Sequence, residues 1–81
     1  MPSTSVAVGS SVGLHARPAA IIAEAAGGLG STVTINGMDA SSSLMLMTLG
    51  AKCGDTVEVA GEDEAAVAAI VALVEKDLDA D

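Results

Sequence analysis

The chain has no phenylalanine, tyrosine or tryptophan among its 81 residues. Apolar residues still make up 51% of it, enough for a folding sequence rather than a disordered one. The core therefore has to come from Val, Ile, Leu and Met, with alanine filling between them. Cysteine occurs once, at Cys53, which excludes an internal disulfide and points to a reducing compartment. That thiol reads as a small structural or partly exposed group. Only Arg17, Lys52 and Lys76 are basic, against eleven acidic residues, for a net charge of −8. A nucleic-acid binder shows a basic footprint, and none can be drawn here; attraction to anionic membranes fails for the same reason. The longest apolar run, "AAVAAIVALV", is far too short to span a bilayer, and "MPSTSVAVGS" lacks the basic start of a signal peptide. We expect one cytoplasmic, soluble domain over residues 1–81, since so short a chain cannot enclose two cores. Neither a metal nor a cofactor is implied.

What is present alternates between two periods. "TSVAVGS" alternates around Val6 and Val8 as a half-buried strand does. "HARPAAIIAEAA" follows with Ile22, Ala26 and Leu29 at helical spacing and Gly27-Gly28 as a stop. Pro18 fits only the first turn of that helix, so the helix begins at about His15 or Ala16. "STVTINGMDAS" reads as two short strands joined by Asn36-Gly37, the strongest short-range hairpin signal. "SSSLMLMTLG" reads as a short helix capped by serine and stopped by glycine, with Leu46 and Leu49 inward. "DTVEVAG" alternates with Val57 and Val59 on one face. From about Asp63 to Leu78, an apolar stripe of Val67, Ile70, Val71, Val74 and Leu78 predicts a last helix, and Glu62, Asp63 and Glu64 suit its positive N-terminus. The order is βαββαβα. One apolar face per strand and one stripe per helix predict an α+β fold, an antiparallel sheet with the helices packed on one side. No stripe is left over for a dimer seam, so a monomer is expected.

The only histidine, His15, stands in "GLHARPAA" beside Arg17, at the expected helix start. The acid is unevenly placed: the first 23 residues contain none, and ten of the eleven acidic residues lie at or after Asp39. Helix N-termini present N–H groups outside the helical ladder and a positive dipole end, which makes them anion sites. The guanidinium of Arg17 suits phosphate oxygens, and imidazole is a nucleophile that forms labile covalent intermediates. Nucleophile, anion cradle and cation together describe a site that accepts and releases a phosphoryl group. The residues alone leave a second reading open, in which His15 caps the helix and Arg17 is a solvated surface charge.

"GLHARPAA" resembles the active-site signature of the HPr family, the histidine-containing phosphocarriers of the bacterial phosphoenolpyruvate–sugar phosphotransferase system. "SSLMLMTLG" and "AKCGDTVEV" are similar to that family's second signature region and last strand. The resemblance covers nearly the whole chain. It implies an open-faced sandwich of a four-stranded antiparallel sheet with three helices on one face. It also implies a phosphoryl carrier rather than an enzyme. His15 matches the residue that takes phosphate on Nδ1 from phospho-enzyme I and passes it to the A domains of sugar permeases. Arg17 matches the arginine that steadies the phosphoryl group, with Ala16 and Pro18 forming the helix start around it. Ser42 matches the serine that a regulatory kinase modifies in some members, where a transcriptional regulator is a further partner. Leu44 and Met47, one helical turn apart, resemble the apolar docking patch.

Two departures stand out. The stretch between His15 and Ser42 is shorter than in many members, a difference we place at the Asn36-Gly37 hairpin. Glu24 and Met45 occupy places where several relatives carry lysines, so partner contacts here lean on apolar area more than on charge. Core filling remains open for Leu44 and Met47, Met45 is unassigned, and simple helix capping remains open for Ser42. A carrier in a nitrogen-linked regulatory relay, or a non-covalent module binding an anion or effector, are the alternatives to sugar uptake.

Overall fold

The computed structural model describes residues 2–10 and 13–76. Four strands and three helices follow in the order β1 (Ser3–Ala7), α1 (Ala16–Gly27), β2 (Val33–Ile35), β3 (Met38–Asp39), α2 (Ser43–Thr48), β4 (Thr56–Gly61) and α3 (Glu64–Glu75). The strands form one antiparallel sheet in the order β1-β4-β2-β3. The late strand β4 thus lies between the first two, with Val6 opposite Val57 and Ile35 opposite Val59. Alternation decides which face is covered. Val6, Val33, Ile35, Val57 and Val59 are buried, while Ser5, Thr56 and Glu58 are exposed on the other side.

All three helices share the core with that single apolar face. α3 packs on β1, β4 and β2, α2 meets β3, and α1 lies against α2 and α3. α3 buries Ala66, Val67, Ile70 and Val74, while Val71 is half-buried. Leu78, expected to continue the stripe, lies outside the described residues. Asp63 caps α3 with its carboxylate, which accepts from the Ala65 N–H at 3.0 Å. α1 buries Pro18, Ala19, Ile22 and Ala26, and α2 buries Leu46 completely. A fully buried Ile or Leu contributes about 1.5–3 kcal/mol, so this core without Phe, Tyr or Trp rests mainly on aliphatic side chains. Leu49, expected inside beside Leu46, is only half-buried. It is the C-cap of α2, where the chain is already leaving the core. Among the described residues no helix is long and apolar enough to cross a membrane.

The Asn36-Gly37 hairpin forms as expected, with φ of 51° and 82°. Asn36 also does something that the turn does not require. Its N–H donates to the Glu58 carbonyl, and its Oδ1 accepts from the Glu58 N–H, both at 2.8 Å. The turn is thereby sewn to β4 beyond the end of the β2 ladder.

The stretch leading to α1 is fixed from two sides. Gly9 N–H donates to the Val74 carbonyl at 2.9 Å, against the end of α3. Val8 pairs with the α2–β4 turn, donating to the Asp55 carbonyl and accepting from the Gly54 N–H, each at 2.8 Å. Farther on, Leu14 N–H donates to the Ala51 carbonyl at 3.0 Å while its side chain enters the core. Gly13 allows that approach. Its φ is +74°, and a Cβ there would collide with the Ala51 carbonyl oxygen and stand 2.8 Å from the Lys52 Cα.

Two outcomes follow from this frame. Gly13→Ala combines a left-handed backbone penalty with a backbone collision, and should lower unfolding free energy by at least about 2 kcal/mol; urea denaturation measures it. Asp39 accepts from Ser41 Oγ at 2.7 Å and from Ser41 N–H at 2.9 Å, and the two bonds, the hydroxyl's first, hold its carboxyl below the ordinary 3.8. Such a depressed group adds stability above pH 3.8 that disappears as pH falls through the folded-state value. In an NMR titration the Asp39 midpoint should lie below 3.8 and rise toward it in Ser41→Ala.

Candidate functional site

Pro18 explains why the helix starts where it does. It occupies the third helical position, where no intrahelical N–H is required, and its ring is fully buried. The helix start is therefore pinned to the core by a rigid residue. Ala19 N–H closes the first turn onto the His15 carbonyl at 2.8 Å. Upstream of that bond, the N–H groups of Ala16 and Arg17 have no acceptor within the helix and lie at its positive end. No acidic residue lies in the first turn to oppose an incoming anion.

His15 is the N-cap, with extended backbone at φ −95° and ψ −167°, and its imidazole makes no capping hydrogen bond. The side chain is exposed beside the buried Leu14. The reading of His15 as a capping group thus does not describe this helix: the backbone is at the N-cap, but the ring is not engaged in it. Arg17, two residues on, is exposed on the same first turn. An outward nucleophilic ring, the positive start of α1 and a guanidinium form a small set suited to an oxyanion.

A pocket of about 180 Å³ opens beside the ring, lined by Leu14, His15, Met47, Gly50, Ala51 and Lys52. Met47 comes from α2, where it is half-buried against the core. Leu44, one turn earlier, is 67% exposed, and Met45 is 38% exposed. Methionine and leucine therefore stand outward on the helix that reaches the His15 pocket, while Leu46 takes the buried side. Core filling is excluded for Leu44 and applies in part to Met47. Ser42 caps α2, its Oγ accepting from the Met45 N–H at 3.3 Å. Cys53 is exposed in the turn that follows Lys52. Glu24 lies exposed farther along α1.

The structure keeps His15, Arg17 and the helix start together, and it adds two features around them that sequence reasoning missed. Gly13 and Ala51 hold the loop before the histidine, and Lys52 reaches the pocket from the α2–β4 turn. A glycine just ahead of a helix hints at an unusual backbone. Nothing local in the sequence brings Lys52 to the histidine.

Known proteins share both the sequence and the architecture. Residues 2–76 match the family of the PTS HPr component phosphorylation site. The phosphocarrier protein HPr of Streptomyces coelicolor is 41% identical over 75 residues, spanning 86% of this chain and 81% of that protein. Among solved structures, HPr-C-His from Thermoanaerobacter tengcongensis superposes with a TM-score of 0.88 at 28% identity, covering 100% of this chain and 99% of that one. A phosphocarrier protein HPr from Bacillus anthracis gives 0.83 at 28% identity, over 90% of this chain and 95% of its own. The matched span takes in the histidine, its helix and every strand of the sheet, and on that ground the chain belongs to the HPr family of phosphocarrier proteins.

Proposed function

We propose that the chain carries phosphate on Nδ1 of His15, taking it from phospho-enzyme I and delivering it to the A domains of sugar permeases during phosphoenolpyruvate-dependent sugar uptake. The observation behind this reading is the outward imidazole of His15, unengaged as a cap, at an acid-free helix start within the family signature. In each transfer the N–P bond of the donor breaks and its electron pair stays with the donor nitrogen. On loading, the lone pair of Nδ1 forms the new N–P bond; on delivery, a nucleophile of the acceptor domain forms the new bond to phosphorus as the pair returns to Nδ1. The protein is then a substrate of one enzyme and a phosphoryl donor to the next, rather than a catalyst in its own right.

The residues around the ring have separate jobs in this scheme. N–H groups of Ala16 and Arg17 meet oxygens of the bound phosphoryl, and the Arg17 guanidinium steadies them from the side chain. Pro18 keeps that backbone in place before phosphate arrives, so little ordering is left to the transfer itself. Leu44 and Met47 offer the apolar surface on which partners settle, and methionine adapts readily to more than one of them. Capping of α2 accounts by itself for a serine at position 42. Phosphorylation there by a serine kinase would place up to about two negative charges at the start of α2, beside the docking surface.

Incubation with phosphoenolpyruvate and enzyme I should give acid-labile phosphate on the wild-type protein and none on His15→Ala. Absence of label, or label that survives the substitution, overturns the proposal. Arg17→Ala should leave the circular dichroism spectrum unchanged and lower kcat/KM for phosphorylation about tenfold or more, the weight of a charge-assisted hydrogen bond. Leu44→Asp should act on KM instead, raising it about tenfold for both donor and acceptor partners, because it adds charge to an apolar contact without touching the ring.

A further inference from the structure

The chain has only three basic residues, and two of them stand beside His15 in the fold. Arg17 is in the first turn of α1. Lys76 caps the end of α3, and its carbonyl accepts from Ser10 Oγ at 3.3 Å, just ahead of the loop that leads to the histidine. Lys52 is the one that lines the same pocket as the His15 ring. A protein of charge −8 thus spends a third of its positive charge on a position far from His15 in sequence and adjacent to it in space.

The backbone of Lys52 is held in place. Its N–H donates to Asp55 Oδ2 and its carbonyl accepts from the Asp55 N–H, both at 2.9 Å, which makes a tight turn. The preceding carbonyl, that of Ala51, takes the Leu14 N–H, and the Lys52 Cα comes within 2.8 Å of where a Cβ on Gly13 would stand. The root of the side chain is therefore fixed against the residue two positions before the histidine. The side chain itself is exposed, and among the described residues the ammonium has no ion-pair partner. A four-carbon stem carries that ammonium about 6 Å from its Cα, far enough to reach over a pocket of this size.

We propose that Lys52 is a second cation for the phosphoryl group on His15, contacting its oxygens from the α2–β4 turn. This rests on the reading of His15 as phosphoryl acceptor. Arg17 presents a planar fork from the helix, whereas Lys52 supplies a compact charge on a mobile stem, able to hold the dianion and to withdraw when a partner docks. The chemistry gives the effect a direction. Spontaneous loss of the phosphoryl group is attack by water, with the N–P bond breaking, its electron pair returning to Nδ1, and inorganic phosphate leaving. The transition state is loose and draws charge away from the phosphoryl oxygens. A cation on those oxygens therefore stabilises the phosphorylated ground state more than the transition state, and lengthens its life.

The test is the lifetime of the phosphoprotein, made with phosphoenolpyruvate and enzyme I, freed of both, and followed by phosphorus NMR at neutral pH. Lys52→Ala should hydrolyse about fivefold faster than wild type, the factor that one unit charge at about 4 Å exerts in a water-exposed site. Lys52→Arg should remain within about twofold of wild type, and the gap between Ala and wild type should narrow in 1 M salt. Equal lifetimes for wild type and Lys52→Ala overturn the proposal. So does equally fast hydrolysis of the Ala and Arg variants, which would indicate a disturbed turn rather than a missing charge. A higher KM for enzyme I with an unchanged lifetime also overturns it, and assigns Lys52 to the partner's surface. If wild-type protein takes no label at all, the His15 reading fails and this one with it, an outcome distinct from the others.

Discussion

The hydrogen bond from Leu14 N–H to the Ala51 carbonyl is the join on which the placement of His15 depends. Strand β1 and helix α1 are consecutive in the chain, yet the connection between them is held by the α2–β4 turn, a segment from much later. That bond puts Leu14 into the core and leaves the next side chain, His15, outside. Its existence requires Gly13, because any Cβ there would enter the space of the Ala51–Lys52 backbone. Below it Pro18 is buried, so the first turn of α1 is fixed at both ends. The exposure of His15 is therefore a property of the packing around it.

The same arrangement solves an electrostatic problem. A chain of net charge −8 is a poor host for an anion unless its charges are segregated. Here acids gather at the N-terminus of α3, while α1 begins with no carboxylate in its first turn. Arg17 stands in that first turn and Lys52 lines the pocket beside His15. Segregation rather than neutralisation makes an acidic domain compatible with phosphate.

Much of this architecture is legible in the sequence, because alternation and helical spacing record which face of each element meets the core. Val6 and Val8, Val57 and Val59, and Val67, Ile70 and Val74 lie inside as their spacing requires. Asn36-Gly37 announces the hairpin, and Pro18 announces the helix start. Residues at element ends are read less well: Leu49 fits the inward period of α2 but sits at its cap, half out of the core. Met45 lies outward beside Leu44, which no periodicity over six helical residues could settle. What the sequence withholds is tertiary. The paired hydrogen bonds between Asn36 and Glu58, the closure of Gly13 on Ala51 and the arrival of Lys52 at the histidine join residues far apart in the chain, and such contacts leave no periodic mark.

The missing aromatic residues have a last consequence. With neither Trp, Tyr nor Phe in the chain, the imidazole of His15 is its only aromatic ring. In heavy water, once the exchangeable protons are gone, the two carbon-bound protons of that ring stand alone in the aromatic window of the proton spectrum. The molecule has a built-in reporter at its exposed helix start, one that needs neither isotope nor label. A core made entirely of aliphatic side chains leaves the rest of the protein silent in that window.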